Sequence, residues 1–205
     1  MKKAFAIFDV DKTIIKGDSM FYFLLYGISK KPWLVIYLPI ITIKVILFKA
    51  GILDVKKAKE SLYIPIKHLK EEEIQEFYEK VLLKKSYGEV LNVLKEHKKS
   101  GSYTILVSAS PEEYLKYFKN KDYIDEVIGT KLLNVNGRYI NKIQGENCKD
   151  YEKVKRINTF LKENNFEIDF ENSYCYGDSN SDSYMMNLVK NRYRVRGGSL
   201  EEFSC

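Results

Sequence analysis

Three apolar runs, each closed by a small, polar or acidic residue, constrain the fold of this 205-residue chain most strongly. Residues 3–9, 102–108 and 173–176 have the composition of strands, a weaker run of this kind covers residues 192–195, and helical patterns separate them. Because strands that alternate with helices form parallel sheets, the sequence predicts an α/β protein with a doubly wound, mainly parallel sheet. Such sheets bind ligands beyond the carboxyl ends of their strands.

The first apolar run, "AFAIFDVDKT", ends in two carboxylates, Asp9 and Asp11. In an extended chain both side chains face the same way, so they repel each other unless a cation or a proton lies between them. A polar turn after a core strand is the alternative interpretation of this stretch. Ser108 ends the second run and Asp178 lies just beyond the third, so three separate segments can deliver polar groups to one crevice.

The segment of residues 17–87 shows helix signals and no convincing strand alternation. Asp18 can cap a first helix, and the apolar residues of the stretch 74–82 follow helical spacing. The sequence therefore predicts a helical cap of residues 17–87, inserted into a core that consists of residues 1–16 and 88–205.

A turn signal interrupts the strand-like stretch 131–143, "KLLNVNGRYINKI". Asn136-Gly137 is a preferred pair for two-residue hairpin turns, in which both residues have positive φ. The sequence predicts a β-hairpin here with a structural role, as an edge flap or an extension of the sheet.

Residues 32–48, "PWLVIYLPIITIKVILF", are the most apolar part of the chain. If this stretch crossed a membrane, its length would be at the lower limit for a transmembrane helix, and the helix would contain Pro39 and Lys44. A single crossing would also separate Asp9 from Asp178, which cannot then share a site. We therefore expect buried cap helices, with a peripheral, in-plane membrane contact as the alternative.

Composition excludes several classes of protein. The net charge of +6 is spread along the chain, so we expect no nucleic-acid surface, although anionic partners such as phosphates and anionic lipid are favoured. Cys148, Cys175 and Cys205 are odd in number, far apart and without a CxxC pair, which argues against a disulfide framework and a structural zinc site. With only two histidines in the chain, we expect no multi-histidine site. No signal peptide is evident, which predicts a cytoplasmic protein. The sequence specifies no oligomeric state.

Four segments resemble, in chain order, the haloacid dehalogenase superfamily of phosphatases. They are "DVDKT" at 9–13, Ser108 in "VSAS", Lys153 in "YEKVKRI" and "GDSNSD" at 177–182. The branch with a helical cap after the first strand, subfamily IB, looks most similar and includes phosphoserine phosphatases. The resemblance covers nearly the whole chain and implies a Rossmann-like core with a C1-type cap. A dehalogenase of the superfamily would lack the second acid, Asp11.

The resemblance implies a role for each acid. Asp9 would be the nucleophile that forms an aspartyl-phosphate, and Asp11 would be the general acid and then the general base. Asp178 would complete a Mg²⁺ site with Asp9, with Asp182 behind it and the backbone carbonyl of Asp11 as a further ligand. Oxygen ligands alone suit Mg²⁺ better than zinc.

The resemblance also implies how phosphate is held. Ser108 would hydrogen-bond the phosphate, with the amides around Ala109 and the hydroxyl of Thr13 close to it. Ser110 belongs to "SPEE", a pattern that is typical of a helix start, and we interpret it as an N-cap with Pro111 at the first helical position.

A lysine completes the expected phosphate site. Lys153 falls in the first turn of a helix that Asp150 can cap, where the helix dipole disfavours a positive charge unless an anion lies nearby. We therefore predict Lys153 as the phosphate-binding lysine, with Lys149 as the alternative. The alternative without a functional role is that either lysine is simply exposed to solvent.

The cap provides the evidence on substrate. Asp18 falls where phosphoserine phosphatases have a glutamate, but "SLYIPI" has Pro65 where they have a carboxylate-binding arginine. The apolar run after the first cap helix looks like that of phosphatidylglycerophosphatase C-like proteins, which implies a lipid-linked or other hydrophobic phosphate monoester. Phosphoserine or another small phosphorylated metabolite is the alternative substrate. A phosphotransferase and a non-catalytic phosphate-binding protein are the alternative functions.

Overall fold

A six-stranded, mainly parallel sheet forms the centre of the computed structural model, which describes residues 1–203. Cys205 therefore lies outside the described residues. The strands are β1 (Lys2–Lys3), β2 (Phe5–Phe8), β3 (Tyr103–Pro111), β4 (Glu126–Thr130), β5 (Leu132–Val135), β6 (Arg138–Ile143), β7 (Glu167–Ile168), β8 (Tyr174–Gly177), β9 (Asn191–Arg196) and β10 (Ser199–Glu202). The order across the main sheet is β10-β9-β8-β2-β3-β4, and β10 alone runs antiparallel to its neighbour.

Helices connect these strands. The α-helices of the described chain are α1 (Ser19–Lys30), α2 (Leu38–Lys49), α3 (Val55–Leu62), α4 (Glu71–Phe77), α5 (Gly88–Lys99), α6 (Glu112–Leu115), α7 (Tyr151–Glu163) and α8 (Ser183–Met186). Short 3₁₀-helices cover Pro32–Tyr37, Ile64–Lys67, Leu83–Lys85, Lys116–Asn120 and Asn180–Asp182, and a π-helix covers Tyr78–Leu82.

Both faces of the sheet are covered by helices, which confirms the predicted doubly wound α/β fold. Side chains alternate along β2, so Phe5 and Ile7 pack with α7 and α8 in one hydrophobic cluster. Ala6 and Phe8 pack in the other cluster, together with α5, α6 and the helices between β2 and α5. All four residues of β2 are buried, as expected for the central strand of a parallel sheet.

The segment between β2 and α5 is helical, as the sequence predicts. Asp18 caps α1 by accepting a hydrogen bond from the backbone N–H of Met20 at 3.0 Å. The predicted amphipathic stretch 74–82 divides into the end of α4 and a π-helix, and its buried side chains join the cluster that contains Phe8. Because cap and sheet share this cluster, the division at residues 17–87 stays a prediction.

The predicted hairpin is confirmed. β5 and β6 pair antiparallel, and Asn136 and Gly137 between them have φ values of 52° and 79°. The hairpin forms a two-stranded sheet of its own. It also holds α3, because the Glu60 carboxylate accepts hydrogen bonds from Ile143 N at 3.1 Å and Lys142 Nζ at 2.7 Å.

Residues 32–48 do not form the buried cap helices that the sequence predicts, and this prediction is wrong. They form the 3₁₀-helix and most of α2, and within them only Leu34 and Ile41 are buried. A helix that is apolar on all sides can bury only the side that meets a neighbour, which for α2 is α3. By length and composition, Pro32–Lys49 is the one described stretch able to cross a membrane, with a mean hydropathy of 1.7.

Candidate active site

The carboxyl ends of three adjacent strands form one side of a cavity of about 500 Å³. Phe8, the last residue of β2, pairs with Leu106 on β3 and with Tyr176 on β8. Asp9 and Asp178, which follow β2 and β8, therefore lie side by side, and Ser108 lies on the neighbouring β3. The predicted convergence of these segments at one sheet edge is what the strand order produces.

Asp9, Asp178 and Asp182 form an acidic cluster, in which one carboxylate oxygen of each residue lies within 4.8 Å of those of the other two. Asp9 and Asp182 are buried and Asp178 is half-buried. Burial raises the pKa of Asp178, and the charge of Asp182 raises it further. Close carboxylates of this kind need a cation to remain ionised together.

Lys153 supplies one positive charge to this cluster. Its Nζ donates hydrogen bonds to Asp9 Oδ1 at 2.6 Å and Asp182 Oδ1 at 2.7 Å, and the residue is 1% exposed. Burial by itself would lower the pKa of Lys153, but the two carboxylates outweigh it and hold the pKa above its usual value. Lys149, the alternative lysine, is exposed at the cavity rim.

The start of α7 differs from the prediction. Asp150 makes no side-chain capping hydrogen bond, and its backbone has a φ of 52°, outside the usual N-cap region. The predicted capping by Asp150 is therefore wrong. The carboxylates of Asp9 and Asp182 compensate the positive charge that Lys153 places in the first turn of α7.

Asp182 is held by the loop after β8. The backbone N–H and the hydroxyl of Ser179 donate to Asp182 Oδ2 at 3.2 and 3.1 Å, which leaves Oδ1 for Lys153. Gly177 is required for this packing, because a Cβ atom there would lie 2.6 Å from the Cβ of Asp182. The "GDSNSD" loop thus fixes two acids of the cluster.

Asp9 has a donor on each oxygen. Lys153 occupies Oδ1, and the hydroxyl of Thr13 donates to Oδ2 at 3.1 Å. Burial raises the pKa of Asp9, whereas the charge of Lys153 lowers it and that of Asp182 raises it again. Thr13 is buried and therefore fixes the orientation of the Asp9 carboxylate.

Asp11 lies in the same cavity, but its carboxylate is not part of the acidic cluster. Its Oδ1 accepts a hydrogen bond from the backbone N–H of Ser19 at 2.6 Å, and its Oδ2 accepts one from the hydroxyl of Ser110 at 2.5 Å. The Ser108 hydroxyl lies 3.4 Å from Oδ2. The hydrogen-bond partners of Asp9 and Asp11 therefore differ: the Lys153 ammonium group is one of the two donors to Asp9, whereas the donors to Asp11 are neutral.

The prediction that Ser110 is a helix N-cap is wrong. β3 continues through Pro111, and α6 begins at Glu112 without a side-chain cap. Ser110 is fully buried and its hydroxyl contacts Asp11 instead. The spacing in the sequence could have indicated this, because residues two apart on a strand share a face. If the strand is extended to Ser110, then Ser108 and Ser110 point toward the same side.

The cap adds a cation that the sequence analysis missed. Lys59 on α3 lines the cavity, and its Nζ donates to the Ala109 carbonyl at 3.0 Å and to Asn147 Oδ1 at 3.1 Å. Burial lowers the pKa of Lys59 to about 8, although Asp11 and Asp18 oppose this shift. Asp18 lines the cavity as well, and burial raises its pKa.

The remaining wall of the cavity is apolar and comes from the cap. Its members are Met20 of α1, Phe48 of α2 and Val55 of α3. Phe48 is 41% exposed, so the exposed apolar surface of α2 continues into the cavity.

The sequence matches the haloacid dehalogenase-like hydrolase family over residues 6–187. The chain belongs to this family. The match extends from β2 to Asn187, the residue after α8, and so includes every residue of the acidic cluster. No curated protein matches the sequence.

Solved structures show the same fold. A protein of unknown function from Bordetella pertussis Tohama I superposes with a TM-score of 0.81 at 20% identity, over 94% of this chain and 89% of that one. A substrate-bound phosphoserine phosphatase superposes with a TM-score of 0.64 at 17% identity, over 94% and 85% of the two chains. A phosphoserine phosphohydrolase-like protein from Francisella tularensis subsp. tularensis SCHU S4 gives 0.60 at 18% identity, over 92% and 85%.

Proposed function

We propose that this hydrolase is a Mg²⁺-dependent phosphomonoesterase that acts through an aspartyl-phosphate on Asp9. The observation that carries the proposal is the buried cluster in which Lys153 bridges Asp9 and Asp182 beside Asp178. A buried carboxylate between a lysine and a cation site suits attack on a phosphoryl group, because the positive charges cancel the repulsion between two anions.

The residues fit Mg²⁺. Asp9, Asp178 and Asp182 offer only oxygen atoms, and when all three are ionised Lys153 leaves two negative charges uncompensated. These acids would hold the ion, with the backbone carbonyl of Asp11 as the further predicted ligand. When bound, Mg²⁺ would stabilise negative charge on the transferring phosphoryl group.

The protein side chains then have distinct roles. Thr13 and Lys153 orient the Asp9 carboxylate, whose oxygen forms a bond to phosphorus. Ser108 and the backbone at Ala109 would bind the phosphoryl oxygens, since Ala109 lines the cavity and Ser108 precedes it in β3.

Asp11 is suited to proton transfer because it lies outside the cation cluster. Its carboxyl group would give a proton to the leaving oxygen as the phosphorus–oxygen bond of the ester breaks. In the second step Asp11 would take a proton from the water that attacks the aspartyl-phosphate. Separate environments for two carboxylates are the usual way in which an enzyme gives them separate functions.

We further propose a hydrophobic or lipid-linked phosphate as the substrate. Met20, Phe48 and Val55 give the cavity an apolar wall, and Lys59 adds a positive charge near Asp18. Position 65 of the cap is a proline that lies against Gly27, so the cap offers no arginine at this position. An acyl-bearing leaving group suits this wall better than the carboxylate and amine of phosphoserine.

A peripheral contact with the cytoplasmic face of an anionic membrane is part of this proposal. The apolar patch consists of the exposed residues Trp33, Val35, Ile36, Ile40, Ile43, Ile46, Phe48 and Ile52. No acid occurs between Asp18 and Asp54, whereas four lysines do. A full crossing by α2 is excluded in this fold, because Asp9 and Asp178 precede and follow it yet share one cluster.

The reaction is tested by phosphate release from a panel of monoesters with Mg²⁺ and with chelator. The panel includes phosphoserine and a lysophospholipid phosphate, and Asp9→Asn is the control. We expect metal-dependent release that is lost in the variant and greatest for the lipid ester. Preference for phosphoserine would overturn the substrate proposal, and transfer to an added alcohol in place of release would indicate a phosphotransferase. No release from any ester would contradict the catalytic function.

The membrane contact is tested by sedimentation with vesicles of phosphatidylglycerol or of phosphatidylcholine. We expect binding to the anionic vesicles and its loss when Ile40, Ile43 and Ile46 are replaced by serine. Leu133→Ser with Val135→Ser is the matched control, since these exposed apolar residues lie on the hairpin. Equal binding by both variants would contradict the proposed contact.

A further inference from the structure

A chain of three buried hydroxyl groups leads to Asp11. The Ser110 hydroxyl lies 2.5 Å from Asp11 Oδ2, the Ser19 hydroxyl 2.9 Å from that of Ser110, and the Tyr114 hydroxyl 2.9 Å from that of Ser19. Ser19, Ser110 and Tyr114 are all fully buried and come from α1, β3 and α6. The chain therefore joins the first residue of the cap helix to the candidate acid.

The direction of the hydrogen bonds in this chain is fixed. Ser110 donates its one hydroxyl proton to Asp11, and Ser19 donates its own to Ser110. The remaining contact must then be a donation from the Tyr114 hydroxyl to Ser19. All three protons point toward Asp11, an arrangement in which each hydrogen bond strengthens the next.

We propose that Ser110 is a positioning residue that holds Asp11 in the orientation needed for proton transfer. This inference rests on the proposed function, in which Asp11 is the general acid and base. Ser110 fixes Oδ2 while the backbone N–H of Ser19 fixes Oδ1, so the carboxyl group cannot rotate. The cap helix takes part through both its first N–H and its first hydroxyl.

The nature of the donors has a chemical consequence. A backbone N–H can only donate, and the Ser110 hydroxyl already donates, so neither contact accepts the proton that Asp11 carries as an acid. That proton is directed into the cavity. In the first step the ester oxygen takes it as the bond to phosphorus breaks, and the resulting Asp11 carboxylate keeps both donors. Ser110 itself transfers no atom.

Leaving-group dependence tests this role. An alkyl phosphate needs a proton on its departing oxygen, whereas 4-nitrophenyl phosphate departs without one. In Ser110→Ala we expect kcat/KM to fall about tenfold or more for the alkyl ester beyond any fall for the nitrophenyl ester. Ser110→Thr, which keeps the hydroxyl, should restore most of the loss. Ser173→Ala removes another buried hydroxyl, at the opposite end of β8 from Asp178, and should lower both values equally or not at all.

A double-variant comparison separates positioning from a general packing effect. When Asp11 is already Asn, adding Ser110→Ala should change kcat/KM by less than about twofold, because the positioned group is gone. Equal losses for both esters in Ser110→Ala, or additive losses with Asp11→Asn, would overturn the inference.

A milder variant keeps the test decisive if Ser110→Ala does not fold. Tyr114→Phe removes only the outermost donor and should produce a smaller loss that is again confined to the alkyl ester. Loss on both esters alike would overturn the inference while the hydrolase proposal stands. Absence of metal-dependent hydrolysis in the unmodified protein would overturn both.

Discussion

The acidic cluster at the sheet edge and the apolar stretch 32–49 depart from the usual distribution of side chains in opposite directions. Asp9, Lys153 and Asp182 are 6%, 1% and 1% exposed, whereas Ile36 and Ile46 are 66% and 58% exposed. Buried charges and hydrated apolar side chains both cost free energy. We attribute each region to a partner that the chain does not itself supply: a divalent cation and a phosphate at the cluster, and an apolar surface at the stretch.

Removal of the Lys153 ammonium group should produce the largest change in stability. In Lys153→Met the buried Asp9 and Asp182 carboxylates lose their cation, and we expect the free energy of unfolding to fall by about 3–5 kcal/mol. Urea denaturation measures this change. Lys149→Met is the matched control because Lys149 is exposed, and it should change by less than about 0.5 kcal/mol. Similar small changes for both would show that the cluster does not depend on Lys153.

The apolar stretch offers an internal comparison between adjacent isoleucines. Ile41 is 4% exposed and Ile40 is 45% exposed. Ile41→Ala should lower the free energy of unfolding by about 2–4 kcal/mol because it leaves a cavity, whereas Ile40→Ala should change it by less than about 0.5 kcal/mol. Thermal or urea unfolding of the two variants measures the difference. Equal losses would mean that the exposed face of α2 is packed against protein in solution.

Glu113 differs from the acids of the cluster, because it is a buried acid that forms no ion pair with a described residue. It is 5% exposed, its Oε1 accepts a hydrogen bond from Leu132 N at 2.7 Å, and burial raises its pKa to about 7. The unfolded chain loses this proton near the usual value of 4.5, so the folded state loses stability as the pH rises from about 4.5 through about 7.

In Glu113→Gln the side chain can no longer gain or lose this proton. Between pH 5 and pH 8 the unmodified protein should lose on the order of 2 kcal/mol more stability than Glu113→Gln. Urea denaturation at both pH values gives the difference, in which the other titrating groups cancel. The same pH dependence in both proteins would show that Glu113 is ionised in the fold.

Much of the site could be predicted from the sequence because parallel topology brings strand ends together. Asp9, Ser108 and Asp178 each follow or end a strand-like run, so their convergence needs only the strand order. The position of Lys153 in a first helical turn likewise indicated a nearby anion. The short strand β4 was not predicted, because "EVIGT" is too brief to show a pattern.

The predictions that failed depend on tertiary contacts, which a local sequence pattern does not specify. "SPEE" has the composition of a helix start, but the Ser110 hydroxyl is drawn into the chain that leads to Asp11. The stretch 32–48 has no polar face, so its sequence cannot say which side is buried. Lys59 was missed because it stands among other lysines of α3 and only the fold brings it to the cavity.

Detection of the aspartyl-phosphate is the measurement that we would make first. The Asp11→Asn variant should form the phosphoenzyme from 4-nitrophenyl phosphate and hydrolyse it slowly. Acid quenching followed by peptide mass spectrometry should then find one phosphoryl group on the protein. We predict that this group lies on Asp9 and is absent when chelator replaces Mg²⁺. Phosphate release without a phosphoenzyme, or a phosphoryl group on any residue other than Asp9, would contradict the proposed mechanism.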